Sequence, residues 1–352
     1  MSIQTKQRDS NMELLRIVTM ILVMIVHANF LSIQEPNTFE CISSPLTSYI
    51  RYFIQGISII CVNVFVLLTG WYGVNFKINN IKKIYFQGIF FTILVYITFY
   101  YIGIDYDLHL ADYIYELKLN QYWFLVAYLI LYILTPVLNI FCKYAPRSQF
   151  KTIILIFFVL QTIYGWFIGD EKWYENGYSP ISFIGLYLLA RYMRLYPNSF
   201  TTLSKNKDII IYFLIVSIVS MISYFNKRLD VISSDTINMY AYTNPLVIIT
   251  STYFLLYFSK LSIQQNSLIN WIASSAFAVY LLHCHTLILH KIYCQTIRTY
   301  YQQETVLLFF GKTILFIFLI FLISILLDKI RIYIWNIITQ VSKKLIKFNI
   351  SR

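Results

Sequence analysis

The chain has 352 residues and a net charge of +12, with 58% hydrophobic and only 12% charged residues. Soluble domains carry about 25% charged residues, so a chain this apolar cannot wrap a single core in polar surface. That excludes a soluble enzyme and removes nucleic acid as the reason for the positive charge; no nucleic-acid partner is expected.

The apolar residues come in blocks of about 15–25, the length that spans roughly 30 Å of hydrocarbon. Lys6 and Arg8 precede the first block, and no small-x-small cleavage site follows it. It therefore reads as a retained transmembrane helix over 12–33 rather than a signal peptide. Further helices are predicted over 48–74, 81–104, 121–141, 150–168, 180–195, 208–225, 242–260, 269–290 and 306–327. Gly and Pro are scarce, and there is no linker, repeat or low-complexity stretch. The expected fold class is all-α, a polytopic transmembrane helical bundle of about ten helices. One membrane domain would cover 1–340 and a basic tail 341–352. A segment near Ile332–Ile338 is too short to span and is expected to lie on the membrane surface.

Charge orients the bundle. With the N-terminus in the cytoplasm, 20 of the 28 Lys and Arg residues fall on the inner side. That is the bias of the positive-inside rule, and an even number of spans then puts both termini in the cytoplasm. Many of the 31 Tyr residues sit at block ends, where an amphipathic ring suits the headgroup region. The five cysteines form no CxxC pair, so there is no zinc or redox signature and free thiols are expected.

Few residues in the spans carry chemistry. Arg16 and His27 are eleven positions apart on the first helix, so they share a face about 16 Å apart along the axis. An ionisable group in a span is costly and usually faces a polar cavity. Equally, Arg16 can snorkel to the headgroups while His27 bonds a neighbouring helix. Arg191 and Arg194, an i, i+3 pair, suit either a phosphate grip or membrane anchoring. His283 and His290 share a face of the predicted 269–290 helix, while His285 points elsewhere. Without carboxylates or cysteines in register, these three make no metal site. Asn63 is a polarising group or interhelical glue, and Trp123 a stacking platform or an interfacial belt residue. The segment from Gly169 to Glu175 mixes acids and aromatics, as sugar-binding loops do and as solvated turns also do.

Four ordered segments carry a resemblance. The first is Arg16 followed by His27. The second is Cys61-Val-Asn63-Val-Phe-Val-Leu-Leu-Thr-Gly70-Trp-Tyr72. The third is Tyr122-Trp123-Phe124-Leu125 running to Leu134-Thr135-Pro136. The fourth is Ser275-Ala-Phe277-Ala-Val-Tyr280-Leu-Leu-His283. Together they resemble the acyltransferase 3 family, integral-membrane enzymes that O-acylate bacterial surface glycans. The resemblance implies residence in the bacterial cytoplasmic (inner) membrane, a cytoplasmic acyl-CoA donor with acetyl as the default group, and a glycan or lipid-linked saccharide acceptor. It implies His27 as general base and Arg16 as a catalytic partner holding donor or carbonyl. Lys82, Lys83, Arg191 and Arg194 are expected toward CoA, and Asn63, Trp123, Tyr280 and His283 toward substrate. Where relatives carry Arg-x-x-Arg after the second helix, this chain has Lys77 and Lys82-Lys83. No metal is expected.

Two other classes compete on sequence grounds. A flippase or transporter of lipid-linked sugars would show more helices, half-repeats or Gly/Pro-broken spans. A membrane polymerase would carry a large outer loop. Neither feature is visible.

Overall fold

The computed structural model describes residues 8–103, 121–169, 172–230 and 238–350. The fold is an all-α bundle, with no strand among the described residues. In chain order the α-helices are α1 (Ser10–Val26), α2 (Thr38–Ser43), α3 (Pro45–Ser58), α4 (Cys61–Tyr72), α5 (Ile78–Ile102), α6 (Trp123–Tyr144), α7 (Arg147–Thr162), α8 (Pro180–Leu195), α9 (Lys205–Leu229), α10 (Pro245–Ser259), α11 (Ser267–Ala273), α12 (Ala276–His283), α13 (Gln295–Gln303) and α14 (Val306–Ile350). Three π-helical turns, His27–Leu31, Ile163–Phe167 and Ile288–Cys294, interrupt this regularity.

Among the described residues, seven helices are long and apolar enough to cross a membrane, or eight if one bent pair is a single span. Helix ends follow local chemistry. Asn244 and Ser179 accept backbone N–H groups at the starts of α10 and α8, with Pro245 and Pro180 at the first helical position, where a missing N–H costs nothing. Gly73, at φ 63°, ends α4 in the left-handed conformation that glycine adopts without strain.

The predicted 48–74 span holds as one candidate span, Pro45–Tyr72, with a turn at Ile59–Ile60 between α3 and α4. Two predicted elements are corrected. The 269–290 helix is broken. It comprises α11 and α12 and then bends by 94° into the segment Ile288–Gln303. His283 is therefore fully buried while His290 is exposed, and the two share no helix face. Finally, 332–338 is not a separate surface segment, because α14 runs unbroken from Val306 to Ile350. At 1.5 Å per residue, its 45 residues extend to about twice a hydrocarbon thickness. Apolar periodicity ends near Leu327, but helical hydrogen bonding does not.

Helix α1 runs through the middle of the bundle, touching α3, α4, α10, α11, α12 and α14. Among the described residues, α4 and α8 share the most extensive contact. A Cβ on Gly70 would lie 2.5 Å from the Tyr187 carbonyl oxygen and 2.9 Å from its Cα. Backbone cannot yield as a flexible side chain does, and small residues at such crossings let membrane helices approach. Gly70→Val is expected to destabilise the bundle by about 1–3 kcal/mol or more, read as a lower unfolding temperature in detergent. An unchanged unfolding temperature would contradict this packing.

Candidate functional site

His27 opens a π-turn, a geometry that adds one residue to a helical turn and often marks functional sites. Its displaced carbonyl accepts from Ser32 Oγ at 2.6 Å. Two residues on, the Asn29 amide donates to the Arg51 carbonyl at 2.8 Å and to Gln55 Oε1 at 3.2 Å, fixing the turn against α3. The turn packs against the π-turn Ile288–Cys294. From there the Tyr293 hydroxyl donates to the Met24 carbonyl at 2.7 Å, across to α1. The break after α12 brings His283 to the same place. Its Nε2 lies 3.1 Å from His27 Nδ1.

The proton positions follow from the partners. His283 Nδ1 lies 2.5 Å from the Val279 carbonyl oxygen, which can only accept, so Nδ1 carries a hydrogen. In a neutral ring Nε2 is then bare and accepts from His27 Nδ1–H. His27 is left with an unprotonated Nε2, which has no protein partner among the described residues. A half-buried imidazole with one nitrogen fixed as donor and the other bare is arranged as a general base. Cys284 Sγ adjoins the pair, 3.3 Å from His283 Nε2 and 3.7 Å from His27 Nδ1. These three atoms lie within 4.8 Å of one another, a spacing that a tetrahedral cation would also accept. The expectation of no metal rests on the absence of a CxxC pair and on the spacing of positions 283, 285 and 290. Spacing along the chain does not reveal that His27 joins His283 and Cys284.

Three cavities line up along α1. The largest of the three, about 650 Å³, is walled by His27, Glu35, Gln55, Trp123, Tyr178 and Tyr240, among others. Its amide, hydroxyl and charged groups alternate with aromatic rings; Trp123 packs against Tyr178 at 4.4 Å. A constriction of about 40 Å³ shares His27, Trp123, Tyr242 and Tyr280 with it. Phe65, Phe124 and Phe277 then lead from the constriction to a third cavity of about 340 Å³, which contains Arg16 and Lys83. His27 thus stands where the wide cavity meets the constriction, and Arg16 stands at the opposite end of the series.

The other expected residues divide. Trp123 and Tyr280 line both the wide cavity and the constriction. His283 supports His27 from behind and is fully buried. Asn63 donates to the Tyr242 carbonyl at 3.0 Å and so ties α4 to the loop before α10. Arg16 pairs with Glu13 at 2.7 Å while reaching the third cavity. Lys83 reaches that cavity, but the exposed Lys82 is not part of its wall. Arg191 and Arg194 gather around Trp71: Arg191 Nη1 is 3.5 Å from its carbonyl, and the Arg194 guanidinium lies 4.9 Å from its ring centre. Neither lines any of the three cavities. Of the acid-aromatic loop, Asp170 and Glu171 lie outside the described residues. Sequence reasoning missed Cys284, the Tyr240–Tyr242 wall and Arg331. Only Arg331 left a trace, as an i, i+3 pair with Asp328 at the end of an apolar run.

Comparison with known proteins adds one finding. Residues 9–328 match the model of the acyltransferase 3 family, described as an acyltransferase domain. No curated protein and no solved structure matches the chain. The matched stretch covers nearly the whole chain and contains Arg16, His27, Trp123, Tyr280 and His283 in one bundle. The chain belongs to the acyltransferase 3 family.

Proposed function

We propose that this membrane acyltransferase moves an acyl group, acetyl by default, from cytoplasmic acyl-CoA to a hydroxyl of a surface or lipid-linked glycan in the bacterial inner membrane. The observation that carries the reading is the position of the His27–His283 pair at the junction of a wide polar cavity and a narrow aromatic constriction. The donor enters from the Arg16 end, and its acyl thioester reaches the constriction. The acceptor occupies the wide cavity, whose amides and aromatic rings suit a saccharide. A sugar hydroxyl is a poor nucleophile until its proton is removed. His27 Nε2 takes that proton as the oxygen attacks the thioester carbonyl. The carbon–sulfur bond then breaks, and the CoA thiolate leaves with the proton held by His27. The reaction balances with no metal, and acyl transfer splits no step through a redox group.

The lysine and arginine bias supports an orientation with Arg16 cytoplasmic and His27 toward the outside, and an even span count, eight with the bent pair taken as one span, puts both termini inside. All five native cysteines are free and buried, so single cysteines introduced at Asn37 and Lys347 report cleanly. An impermeant reagent added outside is expected to label Asn37→Cys and not Lys347→Cys; the reverse pattern would overturn the orientation. The reaction is tested with radiolabelled acetyl-CoA and mass spectrometry of surface glycans from deletion and complemented strains. The expected result is an ester-linked acyl group only in the complemented strain. Identical glycans in both strains, with label transferred to no saccharide, would overturn the assignment.

A further inference from the structure

The third cavity holds a group that the scheme above does not use. Arg331 is 1% exposed and lines the cavity beside Arg16, Lys83 and Asn80. Its Nε and Nη2 both donate to Asp328 Oδ1, at 2.9 and 2.7 Å. Gln87 Nε2 donates to the same oxygen at 2.8 Å. Those contacts fix the guanidinium plane between α14 and α5. Nη1 is left buried with no hydrogen-bond partner. A buried guanidinium N–H without an acceptor is expensive to keep, and a fork held on one edge offers the other edge to a ligand.

The charges around it are arranged with a direction. Three cations, Arg16, Lys83 and Arg331, form part of the wall. The two carboxylates that hold the arginines, Glu13 and Asp328, are not in that wall. The acids stand behind and orient the cations, and Lys83 adds a charge with no carboxylate paired to it among the described ion pairs. The cavity therefore presents positive charge and N–H donors, which select a phosphate-bearing anion.

We propose that Arg331, with Arg16 and Lys83, forms the phosphate-binding site for the nucleotide end of the donor thioester. This rests on the acyl-CoA reading and deepens it. The aromatic constriction then receives the donor's uncharged arm, and the acyl carbon is delivered to His27. Arg191 and Arg194, which lie outside the cavity wall, have no part in the clamp.

The test is binding of CoA itself to the purified full chain, measured by calorimetry in nanodiscs of zwitterionic lipid and again with phosphatidylglycerol added. Two variants are compared with the wild type. Lys83→Ala changes a residue whose tip is exposed. The paired change Arg331→Met with Asp328→Asn removes the guanidinium without stranding a buried carboxylate. Each is expected to weaken CoA binding about tenfold, the scale of one lost charged contact, and to flatten its salt dependence. In transfer assays the donor KM should rise more than kcat falls. CoA affinity unchanged in both variants would overturn the site. So would a wild type that binds no CoA while phosphatidylglycerol shifts its unfolding temperature through Arg331, because the phosphate would then be a lipid's. CoA binding that is lost in the variants, in a protein that transfers no acyl group to any saccharide, would leave this site standing and sink the glycan reading instead.

Discussion

His27→Ala is expected to leave the protein inserted and folded while lowering acyl transfer on the order of 10²–10⁴-fold, the usual contribution of a positioned general base. The substitution sits at the lip of a cavity rather than in a packed layer: His27 is half-buried and borders both the wide cavity and the constriction. The π-turn itself is held by backbone and neighbouring groups, Ser32 Oγ on the His27 carbonyl and Asn29 on α3, and none of these bonds uses the imidazole. Loss of the ring therefore removes chemistry before it removes structure. Donor binding should persist, since Arg16 lies about 16 Å away along α1 by helical rise, and Lys83 and Arg331 line the same cavity as Arg16. The combination to look for is a normal amount of protein in the membrane, normal CoA binding, and kcat close to background. A His27→Ala protein that is normally abundant and acylates at the wild-type rate would end the assignment.

The bundle was legible because its cause is local and strong. Long apolar runs demand helices whatever their neighbours, since an unpaired backbone group cannot be left in hydrocarbon. The misreadings fall where tertiary contacts override that signal. The break after His283 occurs within a run of apolar and His residues with no Gly or Pro to announce it. Gln121, just before α6, accepts from the Thr286 backbone N–H and hydroxyl at 3.1 Å and helps satisfy the groups that the bend exposes. Likewise α14 continues past its apolar stretch because nothing in Asp328–Ile350 breaks a helix and α14 is clasped at the charged boundary. Lys329 donates to the Trp271 carbonyl at 2.6 Å and to Ser274 Oγ at 3.0 Å.

The site was legible only in part. Arg16 and His27 stand out because ionisable groups are rare in a span and the two share a helix face. What spacing cannot give is the partner. His283 is 256 positions from His27, and its role depends on a bend that removes it from the face it would share with His290. The same limit explains the basic residues. Arg191-Tyr-Met-Arg194 has the better phosphate-grip pattern, yet its guanidinium groups settle around Trp71. Arg331, counted by sequence only as an inner-side charge, has a buried nitrogen without a partner and lines the third cavity.

His283→Leu is expected to lower kcat about 10–100-fold, the usual cost of removing a group that orients a functional imidazole, with less effect on the KM of either substrate. In the wild type the Val279 carbonyl fixes the His283 tautomer, and His283 Nε2 in turn fixes that of His27. Leucine fills the volume but accepts nothing, so His27 is free to place its proton on either nitrogen and to turn. His283→Gln is the informative partner. Its side-chain carbonyl can accept from His27 Nδ1–H, so it should recover much of the lost rate. A merely structural His283 would not separate the two variants, because glutamine is a worse replacement than leucine in an apolar layer. Equal activities for Leu and Gln at equal membrane abundance would remove His283 from the orienting role. The loss in the leucine variant should stay smaller than that in His27→Ala for a physical reason. Cys284 Sγ already lies 3.7 Å from His27 Nδ1, and sulfur is a weak acceptor that can still bias the ring in the right direction.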